Sequence, residues 1–227
     1  MNDFWLFLFF FVYPWIAITI FVVGFAYRYF WDQFNWNAQS SQMLEGRLLK
    51  WGSVLFHYGI LLSFFGHIVG LLLPQGPVWY GVAGISAETH EKIAFTAGGI
   101  VGGAALAGIL ILLIRRITVP RVLRTTTANT FATILLILVP VSTGAYEVYI
   151  AHDSLFPVAH WIQGVMTFRP DLENARAMEL PYKIHVLSAF ALFAFSPFSR
   201  LVHVWSAPVW YFLRPYISFR RYRTTGS

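Results

Sequence analysis

The 227-residue chain contains no cysteine. That excludes disulfides, thiolate zinc sites, iron–sulfur clusters ligated by this chain and haem attached covalently through Cys-x-x-Cys-His. Any metal must be held by histidine, methionine or carboxylate. Charge is scarce as well. Asp, Glu, Lys and Arg make up 11% of the residues, less than half of the roughly 25% found in soluble domains. Internal repeats and low-complexity segments are lacking, which argues against a repeat-built transporter. What the chain does hold is apolar: 57% of it is hydrophobic and 19% aromatic. A soluble fold of this size cannot hide that surface, and a disordered chain would not carry it. The composition is that of an integral membrane protein.

Long uncharged stretches mark the spans. They run over 4–27, from 51 to a Pro- and Gly-rich stop just past Leu73, and over 93–114, 125–146 and 184–199, the last extending past Arg200 to about Trp205. Each can supply the roughly 20 residues that cross about 30 Å of hydrocarbon. The chain therefore reads as one all-α membrane domain, residues 1–227, with five transmembrane helices near 4–27, 51–73, 92–114, 125–146 and 183–205. An N-terminus outside and a C-terminus inside puts 12 of the 16 basic residues on the inner side, as the positive-inside rule requires. The net charge of +6 then reports a cytoplasmic surface and no nucleic-acid partner. The N-terminus lacks a basic n-region and reads as the first helix, not a cleaved signal. Residues 147–182 form an outer loop, with an interfacial helix expected over Ser154–Phe168, and 206–227 a cytoplasmic tail.

Four of the seven histidines fall inside spans: His57 and His67 in the second, His185 and His203 in the fifth. An ionisable group in a span is costly and usually functional. One such histidine is readily explained by an interhelical hydrogen bond; four on two helices are not. The second and fifth helices are antiparallel, so His57 and His203 share the inner depth, and His67 and His185 the outer. Two imidazoles facing each other fill both axial positions of a haem iron, which suits electron transfer. The alternative is a non-haem transporter or assembly factor that uses histidine for metal. One mismatch stands out. His57 and His67 differ by about 15 Å of helical rise, His185 and His203 by about 27 Å, and Pro197 is placed to bend the longer interval.

Glycines surround these positions. Gly59, Gly66 and Gly70 lie near the second-helix histidines, where a missing side chain admits a flat macrocycle. The five glycines of the third helix read as close helix packing. His152 and His160 read as exposed or interfacial loop residues, and the basic runs as topology signals that can also dock soluble partners or meet haem propionates.

Several motifs carry a family resemblance. Ser40-Ser41-Gln42-Met43-Leu44, Leu55-Phe56-His57-Tyr58-Gly59-Ile60-Leu61, Gly66-His67, Arg124-Thr125-Thr126-Thr127 and the block Phe195 to Ser206 around His203 resemble the gamma subunit of respiratory nitrate reductase. The resemblance runs nearly end to end, loosest over 147–183. It implies a membrane cytochrome b with two haem b groups, the inner held by His57 and His203, the outer by His67 and His185. It further implies oxidation of menaquinol or ubiquinol, with electrons passed to an iron–sulfur beta subunit and a molybdenum-containing alpha subunit on the cytoplasmic side of a prokaryotic inner membrane. Nitrate reduction itself falls to a partner. The family often carries a lysine before the third helix that contacts quinol, and His90 stands at that position here. His90, in a loop, with Lys92 and Gly70 are the quinol-binding candidates, and no residue of this chain is catalytic. A related sulfite- or heterodisulfide-reductase-like cytochrome subunit is the alternative within redox chemistry.

Overall fold

The computed structural model describes residues 2–36, 40–73 and 75–205, and among these there is no strand. Helix α1, Asp3–Trp31, begins where the Asn2 side chain accepts the Trp5 amide hydrogen. A π-type turn over Leu8–Val12 precedes Pro14. Pro14 has no N–H to give the Phe10 carbonyl, and the buried Trp161 indole donates to that carbonyl instead, at 2.7 Å. Helix α2, Arg47–Leu72, is capped by Glu45, whose carboxylate accepts from the Leu48 and Leu49 amides. It stops because Leu73 precedes Pro74 and is forced into extended geometry.

Helix α3, Ala87–Thr118, starts on the Ser86 cap and not near residue 92 as its charges imply. Helix α4, Ala128–Ala151, is capped by Thr127 and ends at His152 in the left-handed region, φ 56°. The expected interfacial helix is α5, Phe156–Met166. Short α6, Leu172–Ala177, and then α7, Leu180–Phe195, follow. Helices α1 to α4 are long and apolar enough to cross a membrane.

The fifth expected span, 183–205, is not one continuous helix. It breaks after Phe195 into a 3-10 turn, Ser196–Phe198, and resumes as Val202–Trp205. Pro197 cannot donate to the Phe193 carbonyl, and the Ser196 hydroxyl takes that carbonyl at 2.7 Å. Three more side chains clasp carbonyls on and beyond the break: Arg28 donates to Pro197 at 3.0 Å, Asn129 to Phe198 at 2.9 Å and Trp36 to Val202 at 2.8 Å. The expected cytoplasmic tail, 206–227, lies outside the described residues.

Helices α2 and α3 form the tightest pair. A Cβ on Gly59 would stand 2.4 Å from the Ala105 nitrogen, and one on Gly108 2.3 Å from the Phe56 nitrogen. Gly59 therefore serves helix packing. Helix α7 lies against α4 and α1, while α2 and α7 make no extended contact. One core, with Phe56, Ile109, Ile134 and Ile137, joins α2, α3 and α4. The other gathers Phe10, Trp161, Met178 and Phe190 where α5 and α6 fold over α1 and α7.

Candidate functional site

Across the gap between α2 and α7 the histidines meet in pairs. The His57 and His203 ring centroids are 5.8 Å apart with planes at 62°. The His67 and His185 centroids are 5.9 Å apart with planes at 10°. A ligating imidazole nitrogen sits about 2 Å from its metal and the ring centre about 1 Å further, so two imidazoles on one ion hold their centroids about 6 Å apart. The break at Ser196–Phe198 is what reconciles the unequal spacings, because it returns His203 to the level of His57.

All four rings are oriented by backbone carbonyls. His57 Nδ1 bonds the Ser53 carbonyl at 2.8 Å, His67 Nδ1 that of Ser63 at 2.6 Å, His185 Nδ1 that of Pro140 at 2.9 Å and His203 Nδ1 that of Arg200 at 2.6 Å. A carbonyl can only accept, so each Nδ1 carries the proton and Nε2 keeps the lone pair. That is the tautomer in which an imidazole can ligate a metal through Nε2. Gly144 makes the α4 contact feasible, since a Cβ there would stand 3.1 Å from His185 Cε1. Gly66, beside His67, faces open space within 4 Å of where its Cβ would be. Among the described residues, no group of three His, Asp or Glu is gathered as a bare metal ion would require.

The quinol-binding candidates divide. His90 is a helical residue of α3 and only 3% exposed, not a loop residue as its charged neighbours imply. The Ser86 cap starts the helix before it, and Trp79 stacks on its ring at 4.9 Å. A Cβ on Gly70 would lie 3.9 Å from His90 Nε2, so these two candidates face each other. His90 Nδ1 is buried with no partner. Lys92 points elsewhere: its ammonium pairs with Glu88 at 2.6 Å on an exposed surface. Glu91 is tied to Ser154 and the Leu155 amide. His152 and His160 are exposed.

Near the C-terminal end of α3 Arg115, 1% exposed, is engaged by Glu45 and Ser41, anchoring α3 to the segment before α2. Arg116 donates to Thr126. Burial pushes the Glu45 carboxyl up, but bonds from Leu48, Arg115 and Leu49 outweigh it and hold it below the ordinary range.

Ser53, Ser63, Pro140 and Gly144 escape a reading made from histidines alone. The signal for two of them is a serine four residues before each α2 histidine.

Similarity to known proteins decides the family. The family model described as nitrate reductase gamma subunit matches residues 6–222. The chain belongs to the nitrate reductase gamma subunit family. It is 38% identical over 213 residues to the nitrate reductase gamma chain of Bacillus subtilis (strain 168), covering 92% of this chain and 95% of that one. It is 35% identical over 214 residues to the respiratory nitrate reductase 1 gamma chain of Escherichia coli (strain K12), covering 92% and 94%. It is also 32% identical over 164 residues to the Hdr-like menaquinol oxidoreductase cytochrome b-like subunit of Archaeoglobus fulgidus, covering 70% of this chain and 48% of that protein. The resemblance carried by the His57, His67 and His203 motifs is thus borne out. This gamma-family chain is a subunit of an oxidoreductase complex and, with four apolar helices of spanning length, a multi-pass membrane protein.

Proposed function

We propose that the chain is a di-haem cytochrome b subunit that oxidises quinol on the outer side of the membrane and feeds electrons to the soluble subunits of a respiratory nitrate reductase. The observation that carries this is the pair of two-histidine junctions at 5.8 and 5.9 Å, each ring set by a carbonyl on Nδ1. His57 and His203 would hold an inner haem b, His67 and His185 an outer one. Haem held there by two imidazoles would supply one-electron transfer. The carbonyls that orient the rings fix their geometry.

In this reading α7 with the segment through Trp205 is the fifth span, the N-terminus is outside and the C-terminus inside. The basic inner face meets an iron–sulfur beta subunit and a molybdenum-containing alpha subunit at the cytoplasmic membrane of a prokaryote. His90, which faces Gly70 beneath the Trp79 ring, would bond a quinol hydroxyl near His67. Lys92, paired with Glu88 on the surface, takes no direct part. The quinol is menaquinol or ubiquinol; the Archaeoglobus relative is named a menaquinol oxidoreductase subunit. That relative also supports a second reading, a cytochrome subunit of a heterodisulfide-reductase-like complex. The subunits that co-purify distinguish the two.

A pyridine-haemochrome assay should return about two non-covalent haems per chain. His57→Ala and His203→Ala should remove one spectral component, His67→Ala and His185→Ala the other. Loss of the same component from His57→Ala and His67→Ala would overturn the pairing.

A further inference from the structure

One buried ionisable side chain has no part in the scheme above. Glu147 is 2% exposed, and neither of its carboxylate oxygens has a hydrogen-bond partner. An unpaired carboxylate in an apolar interior is costly and the neutral acid far less so, which makes such a group a place where a proton is held or passed on. Its position is one turn outward from the outer histidine pair. Thr143 and Gly144, both against His185, precede Glu147 on α4 by four and three residues and so share its face. Helix α7 runs antiparallel to α4, and Tyr182 stands one turn outward from His185 on it.

From there polar groups lead to the surface. The Tyr182 hydroxyl donates to the Asp153 carbonyl at 2.9 Å. Asp153 lies six residues beyond Glu147, just past the end of α4, and Glu179 is the N-cap residue of α7, three residues before Tyr182. Exposure rises along the series, from buried Glu147 through half-buried Asp153 to exposed Glu179. Glu91 follows His90 directly and holds Ser154, joining the same outer end of the bundle.

We infer that Glu147 carries protons from the quinol site beside the His67–His185 pair to the outer surface by way of Asp153 and Glu179. The inference rests on the quinol-oxidising reading. Conversion of a hydroquinone to a quinone breaks two O–H bonds and releases two electrons and two protons. The oxidant would be the haem that His67 and His185 would hold, which supplies one-electron acceptance when bound. Each proton converts the Glu147 carboxylate to the acid; the new O–H bond then breaks as the Asp153 side takes the proton, and the carboxylate is restored for the second.

Glu147→Gln keeps the shape and cannot carry a proton; Glu147→Asp keeps the chemistry. The full chain, purified with its haem into lipid nanodiscs, should retain about two haems and full reduction by dithionite in both variants. Reduction by added quinol should slow at least about tenfold in Glu147→Gln and recover in part in Glu147→Asp. Infrared spectra should show a solvent-exchangeable carboxylic acid band that Glu147→Gln removes. Quinol-driven reduction at the parental rate in Glu147→Gln, or the absence of such a band, overturns the inference. If Glu147→Gln loses haem, Glu147→Asp decides: a parental rate with no change in the band overturns it equally. A parent chain that quinol does not reduce sinks the quinol-oxidising reading itself, a result no Glu147 variant can imitate.

Discussion

At Pro14 and Pro197 the chain meets the same small problem twice. Each proline leaves the carbonyl four residues earlier without its helical donor, and each time a nearby side chain supplies one. Trp161 reaches across from α5 to Phe10, and Ser196 bonds Phe193 within its own turn. Trp161→Phe keeps most of the buried ring but orphans the Phe10 carbonyl. It should lower stability by about 1–3 kcal/mol, measured as thermal unfolding in detergent. Glu45 is the residue whose effect depends on pH. Its folded carboxyl titrates below the ordinary range, so the stability it contributes is present above that range and is lost as pH falls through the lowered value. Thermal stability measured down through acid pH should fall more steeply in the parent than in Glu45→Gln. Equal slopes would mean that Arg115 and the α2 cap do not depend on the charge.

Helix pairing rests on glycine where backbones touch. A Cβ on Gly59 would lie 2.6 Å from the Val101 carbonyl as well as against Ala105, and neither backbone atom can turn aside. Gly59→Ala should part α2 from α3 and cost about 1–3 kcal/mol or more, read as lower thermal stability at unchanged spectra of the outer histidine pair. The broken fifth element is the other case. Pro197→Ala returns a donor to Phe193 and lets α7 run on, carrying His203 away from His57. In the proposed di-haem reading, haem per chain should fall from about two toward one; retention of both would show that the Arg28, Asn129 and Trp36 clasp suffices without proline.

Elements of this kind divide what the sequence makes legible from what it does not. Four helices of spanning length and both histidine pairings can be read from apolar run length and antiparallel order alone. Helix ends cannot, because capping and charge compete. Glu88, Glu91 and Lys92 mark the end of an apolar run, yet Ser86 starts the helix before them and buries His90. The carbonyls that orient the rings have no residue type of their own, and only the serines four residues before His57 and His67 hint at two of them, while Pro140 gives no such hint. Glu147 reads as a loop charge until the last turn of α4 encloses it.

For the molecule as a whole, the unequal distribution of basic residues predicts its sidedness. A reporter fused after Ser227 should be active only in the cytoplasm, and labelling of Lys183 from outside intact cells should succeed; the reverse pattern would invert the proposed direction of electron flow. The break at Ser196–Phe198 has a last consequence at this scale. Tunnelling between redox centres weakens exponentially with separation. An unbroken helix would set His185 and His203 about 27 Å apart along its axis, against about 15 Å for His57 and His67 on α2. Because the chain folds back, the shorter interval governs. In the proposed di-haem reading, how fast charge crosses this insulating layer would be written in one proline and in the three side chains, Arg28, Asn129 and Trp36, that hold the chain at and beyond it in place.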